Sequence, residues 1–176
     1  MNDRREFIKQ LAVGATLLQP PWFASCNPKS SESTMSNSSG LKISLAQWSI
    51  HRALEAGTLK AADFPALAKQ KYDVNAVEYV NGFYRDHVND EKFWNQLKLS
   101  AKENGVQSLL IMVDNEGDLG NPDATQRKLS VENHYKWVNA AALLGCHSIR
   151  VNAFGEGSKE DVQQAMIDSM SELCEY

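Results

Sequence analysis

The sequence predicts a parallel α/β fold of four βα units, half the count of an eight-stranded βα barrel, and three observations predict it. Short apolar runs alternate with longer segments of helical period. The runs recur roughly every 30 to 40 residues, the length of a strand and a crossover helix. Residues 41–176 hold four such units, whereas a complete eight-unit barrel takes about 250 residues.

The four runs are Leu41–Gln47, Ala76–Val80, Ser108–Val113 and Ser148–Asn152. Each is short and rich in apolar residues, as a strand covered by helices must be. The helical faces between them are Phe64, Leu67 and Ala68; Phe93, Leu97 and Ala101; Val131, Tyr135, Val138 and Ala142; and Val162, Met166 and Leu173. Asn89 or Asp90 is placed to cap the second helix, Asn121-Pro122 to open the third, and Ser158 with Asp161 to cap the fourth. Asn104-Gly105 and Gly145 supply stops. The last helix runs to Ser171–Tyr176 without a Gly or Pro stop, so the chain reads as an N-terminal half barrel.

Ahead of these units, Arg4-Arg5, Phe7 and the weakly apolar run Leu11–Leu18, ended by Pro20-Pro21, resemble a twin-arginine export signal over residues 1–25. Phe23-Ala24-Ser25-Cys26 is similar to the box before a lipid-modified cysteine, with Phe23 where Leu is usual. Residues 26–40 are Ser-rich and nearly free of apolar side chains, as a flexible tether requires. The expected location is outside the cytoplasm, as a periplasmic or cell-envelope lipoprotein tethered through Cys26. Cys146 and Cys174 lie in apolar contexts and are expected to be buried free thiols.

The formal charge is -4, from 18 basic and 22 acidic side chains, and no Lys/Arg cluster is present. That balance argues against a nucleic-acid partner, whose phosphates select for clustered positive charge. No stretch reaches the roughly 18 consecutive apolar residues of a membrane-spanning helix.

In parallel βα folds chemistry gathers at the carboxyl ends of the strands. Those ends carry Gln47, Trp48 and His51; Glu78 and Asn81; Asp114 and Glu116; and Arg150 and Asn152. Glu78, after two apolar residues, is the candidate base or hydroxyl acceptor, with a salt-bridged structural carboxylate as the alternative. Trp48 suits stacking on a sugar face or filling the barrel mouth. His51 suits donation to a substrate oxygen or is a plain loop residue. Arg150 and Asn152 share one side of their strand; an interior Arg150 needs a partner, for which Glu78 is placed, and Asn152 lies nearer the mouth to touch substrate. Asn81 completes the candidate binding set. His134, on the helix with the Val131, Tyr135, Val138 stripe, is expected to be a flank or interface residue, and His87 and His147 have no expected role. The acidic loop Asp114–Asp118 lacks the glutamate a calcium loop needs at its twelfth position, and reads as an active-site or solvated loop.

Ile43–His51, Ala76–Asn81 and Leu144–Asn152, taken together in order and spacing, resemble the sugar phosphate isomerase/epimerase family from about residue 41 to the end. That family's fold is the xylose isomerase-like TIM barrel. The resemblance implies a carbohydrate substrate, a divalent metal held by carboxylates and a histidine, and proton movement next to a carbonyl. Most of the family's metal ligands belong to the second half of the barrel, so residues 41–176 are expected to hold no metal by themselves.

Three functions follow: an exported sugar isomerase or epimerase, with a lyase or hydratase on oxidised sugars as its close variant; a lipid-tethered, non-catalytic sugar-binding protein; and metal-dependent DNA cleavage, which the acidic charge disfavours. A half barrel exposes its first and fourth strands as edges. The 176-residue chain is therefore expected to form a homodimer or aggregate on size-exclusion chromatography and to show no isomerase activity; a monodisperse, active monomer would overturn the half-barrel reading.

Overall fold

A computed structural model of the protein describes residues 41–176. The export signal, the Cys26 lipid site and the Ser-rich tether read from the sequence all lie outside the described residues. The described part is a mixed α/β unit built on one four-stranded parallel sheet. Its strands are β1 (Leu45–Ala46), β2 (Ala76–Val80), β3 (Gln107–Met112) and β4 (Ser148–Arg150). The helices are α1 (His51–Glu55), α2 (Phe64–Tyr72), α3 (Glu91–Glu103), α4 (Ala124–Leu144) and α5 (Lys159–Glu175), with 3-10 turns at Gln47–Ile50, Ala61–Asp63 and Asn81–His87. No helix among the described residues is long and apolar enough to cross a membrane.

The sheet order is β1-β2-β3-β4. Crossovers of one hand between strands in sequential order place their helices on one face of the sheet, and the core shows this. Val77, Tyr79 and Ile111 are sealed beneath Phe64 and Ala68 of α2, Trp94 and Leu97 of α3, and Trp137 and Ala141 of α4. Ile149 and Val151 pack with Leu173 of α5 and Val131 of α4. Burying each such large side chain contributes roughly 1.5–3 kcal/mol, so this one-sided layer carries the fold.

The other face is not covered in this way. The register aligns Ala46, Glu78, Leu110 and Ser148 in one row and Val80, Met112 and Arg150 in the next. Of these only Val80 is buried. β3 carries one extra residue against β2 between Ser108 and Leu110, which lets Ser108 join Ile111 on the helical face. There its Oγ meets the Tyr79 hydroxyl at 2.8 Å, and burial raises the Tyr79 pKa above the usual phenol range.

Several boundaries differ from expectation. β1 is two residues long rather than seven, and Leu41 and Ile43 are exposed. Because Leu45 pairs with Val77, residues 41–43 run past the start of β2 and meet no strand among the described residues. The β4 ladder stops at Arg150, opposite Met112, the last residue of β3. α4 starts after Asp123, not at Asn121-Pro122, because the Asp123 carboxylate accepts from the amides of Thr125 and Gln126 at 2.8 and 2.9 Å. Asp90 caps α3 through the Phe93 amide, and Ser158 caps α5 through the Asp161 amide. Gly145 ends α4 at φ +79°, where a side chain would be strained.

Cys146 and Cys174 are both free, but only Cys146 is shielded. The buried stripe of α5 is Ala165, Ser169 and Leu173, which turns Cys174 outward. Burial pushes the Cys146 thiol up to about 12 from 9.0. The folded thiol therefore stays protonated through a window in which the unfolded one ionises, and its contribution to stability falls as pH rises from about 9 towards about 12. In a C26S chain, iodoacetamide is expected to alkylate Cys174 first, and Cys146 only on unfolding or as pH approaches about 12; peptide mass spectrometry reads the order.

Candidate functional site

Side-chain amides knit the carboxyl edge of the sheet together, one strand to the next. Gln47, fully buried just after β1, accepts from the Val80 amide of β2 at 3.0 Å and donates to the Tyr84 hydroxyl at 2.8 Å. Tyr84 in turn donates to the Ala61 carbonyl at 3.0 Å, and burial holds its hydroxyl far above the usual phenol pKa. Asn81, fully buried just after β2, closes on the Asp114 peptide: Oδ1 accepts from its amide and Nδ2 donates to its carbonyl, each at 3.0 Å. From beyond β4, Asn152 Nδ2 donates to Asp114 Oδ1 at 2.6 Å. Arg150 adds a contact to the same oxygen at 3.3 Å and donates to Asn152 Oδ1.

Asp114 is thus held by its backbone from one side and by its carboxylate from the other. The Arg150–Asp114 pair is partly exposed, with side chains 41% and 36% accessible, so it is worth about 0–1 kcal/mol and serves mainly to orient. Asp114 Oδ2 has no hydrogen-bond partner among the described residues.

The loop after β3 is anchored to α4. The Glu116 side chain is nearly buried and accepts from Lys136 Nζ at 2.7 Å and Trp137 Nε1 at 2.8 Å. Gly117, at φ +98°, lies so close to α4 that a Cβ would fall 2.3 Å from Ser130 Oγ. The next loop is drawn in by a parallel bridge between Gly120 and Gly155. A Cβ on Gly155 would sit 2.2 Å from the Gly120 carbonyl oxygen, so backbone meets backbone and leaves Phe154 at the rim, 61% exposed.

Between these loops lies a cavity of about 380 Å³ lined by Trp48, Asn81, Asp114, Glu116, His134, Asn152 and Phe154, among others. The volume falls at the lower end of the roughly 300–1,000 Å³ of small-molecule sites. Trp48 is 52% exposed. Its ring is backed by His51, stacked at 4.4 Å and 8°, and the His51 Nδ1 lies 2.7 Å from the Trp48 carbonyl oxygen.

The predicted residues therefore separate. Trp48, Asn81 and Asn152 line the cavity, but Asn81 and Asn152 have both amide atoms engaged within the protein and act as positioning residues. Arg150 lines an adjoining depression with Trp48 and Asp114. His51 is in a helix rather than a loop and supports Trp48. Glu78 lies on the helix-free face of the sheet, where Ser44 Oγ donates to it at 2.5 Å. The expected Glu78–Arg150 pair is replaced by Asp114–Arg150. The register explains this: Arg150 shares its row with Val80 and Met112, one row nearer the mouth than Glu78, and the chain continuing from β3 brings Asp114 to it.

His134, expected as a flank or interface residue, is packed inside the protein at 3% exposure. The buried residues of α4 are Ser130, Val131, His134, Trp137, Ala140, Ala141 and Leu144; of the expected face Val131 is buried, Tyr135 and Val138 pack partly beside it and Ala142 is exposed. The spacing of Trp137, Ala141 and Leu144 was the available signal. Glu116, in a loop of mixed acidic and small residues, carried no signal of burial.

No three His, Cys, Asp or Glu side chains come together to hold a metal ion among the described residues. The chemistry agrees: Glu116 is neutralised by Lys136, one Asp114 oxygen is taken by Arg150 and Asn152, and Glu78 stands apart. Comparison with protein-family models and with curated proteins finds no match to the chain. Replacing Asn81 with Ala (N81A) strands the Asp114 peptide groups and is expected to cost about 1–3 kcal/mol, read as a lower urea midpoint with an unchanged slope.

Proposed function

We propose that residues 41–176 bind a neutral sugar or polyol at the carboxyl edge of a half (β/α)8 barrel, in a protein related to sugar phosphate isomerases and epimerases. Two features of the sheet support the half barrel: its sequential parallel order, and the placement of the large core helices against the Val77, Tyr79, Ile111 face alone. A doubly wound sheet reverses its strand order and covers both faces.

The observation that carries the binding reading is the pairing, in one cavity, of an exposed Trp48 ring with the oriented Asp114 carboxylate. A sugar presents both complements: an apolar C–H face for the indole and hydroxyls that donate to a carboxylate. The lining includes Asp114, Glu116 and Asp118 and neither Lys nor Arg. Glu116 and Asp114 are paired with Lys136 and Arg150 outside that lining, but a phosphate or carboxylate on the ligand would meet Asp118 and the open oxygen of Asp114 without a facing cation, so the uncharged sugar is favoured over its phosphate.

The divalent metal implied by the family resemblance does not fit these residues, whose carboxylates are separated or already bonded. The proposed role of this part of the protein is recognition, in a chain exported by its Arg4-Arg5 signal and tethered at Cys26.

Isothermal titration calorimetry of the full chain against D-xylose, D-glucose, D-fructose and their phosphates tests this. A neutral monosaccharide is expected to bind, and W48A is expected to weaken it about tenfold, equivalent to ~1.4 kcal/mol. Absence of binding, or preference for the phosphates, would sink the proposal.

A further inference from the structure

His134 is almost wholly buried, yet it lines the cavity. Its Nδ1 lies 2.7 Å from the Ser130 carbonyl oxygen, one turn earlier on α4. A carbonyl only accepts, so Nδ1 donates to it, and in the Nδ1–H tautomer Nε2 keeps its lone pair. Nε2 has no hydrogen-bond partner among the described residues. No sealed side-chain nitrogen or oxygen there lacks a partner either, so Nε2 is open to the cavity it lines.

The ring is also held rigidly. Ser130 sits beneath Gly117, at a separation that admits no side chain on the glycine, and the Ser130 hydroxyl donates to the Gln126 carbonyl at 2.9 Å. Trp137, one turn further along, is fixed by Glu116. A nearly buried imidazole with one nitrogen anchored and the other unpaired has the arrangement of a ligand-binding group rather than a satisfied core histidine.

We infer that His134 Nε2 contacts the ligand, accepting a hydrogen bond from one of its hydroxyls. This rests on the sugar-binding reading and narrows it. The amides of Asn81 and Asn152 are engaged within the protein; beside Trp48, Asn115 and Asp118 in the lining, the open groups on side chains anchored by hydrogen bonds within the protein are His134 Nε2 and Asp114 Oδ2. Both are acceptors. The ligand they fit supplies at least two O–H donors, as a polyol or unphosphorylated sugar does, while a ligand presenting only acceptors leaves both unpaired.

The test uses the full chain with D-xylose as probe. Long-range ¹H–¹⁵N NMR of the imidazoles is expected to show His134 as the Nδ1–H tautomer, assigned by the signal lost in H134N, and D-xylose is expected to shift its Nε2 resonance. H134N retains an N–H near the Ser130 carbonyl but removes Nε2, and is expected to weaken D-xylose binding about tenfold, as the loss of one buried hydrogen bond does. An Nε2–H tautomer, or D-xylose binding that W48A weakens and H134N leaves unchanged, would overturn the contact while the sugar reading stands. No D-xylose binding by the wild-type chain would overturn both. If H134N does not fold, the tautomer and the ligand-induced Nε2 shift in the wild type decide.

Discussion

The carboxyl edge of the sheet depends on the closure of the Asn81 side chain over both backbone groups of Asp114. A strand that leaves a sheet loses its ladder partners, and its next peptide must find others or remain hydrated. Asn81 supplies both partners from within the protein, so β3 leaves the sheet in a fixed direction and Asp114 is set at the mouth. Arg150 and Asn152 can then reach its carboxylate, and the chain beyond it reaches α4 through Glu116. Gln47 performs the same office one strand earlier, on Val80. The edge is thus a series of short polar links, each costly to leave unmade once buried.

Beneath this edge the energetics are ordinary and apolar. Trp94, Trp137, Tyr79, Tyr84 and Phe64 are all fully buried between sheet and helices. That layer keeps α4 rigid, which in turn holds His134 and Trp137 in place. The division of labour is clear at Tyr84: its ring packs against Trp94 at 5.4 Å while its hydroxyl joins the Gln47 link, so one side chain belongs to both the core and the edge. The helix-free face, with Glu78, Leu110, Met112 and Arg150 partly exposed, has no such layer.

Much of the fold was legible in the sequence because it is encoded locally. Strand-length apolar runs, helical periods and caps at Asp90 and Ser158 depend on neighbours a few residues away, and β2, β3, the four longer helices and both caps appear close to where they were expected. Errors arose where the deciding partner was distant in sequence. β1 is short because β2 begins too late to pair with residues 41–43. Cys174 is exposed because the α5 stripe passes through Leu173 instead. His134 and Trp137 join the buried side of α4 because the sheet and the Glu116 loop pack there, which the spacing of Val131, Tyr135 and Val138 does not record.

The sequence by itself determined a parallel four-unit α/β arrangement and directed attention to the carboxyl ends of the strands, since backbone periodicity and chain connectivity suffice for both. Only the tertiary structure decided which polar groups there are spent and which are open. Asn81 and Asn152 are consumed in positioning Asp114, Glu78 lies a row too low to meet Arg150, and His134 opens an unpaired nitrogen to the cavity. Hydrogen-bond satisfaction is a property of groups brought together across about 30 to 40 residues of intervening chain, and no local pattern of residues records it.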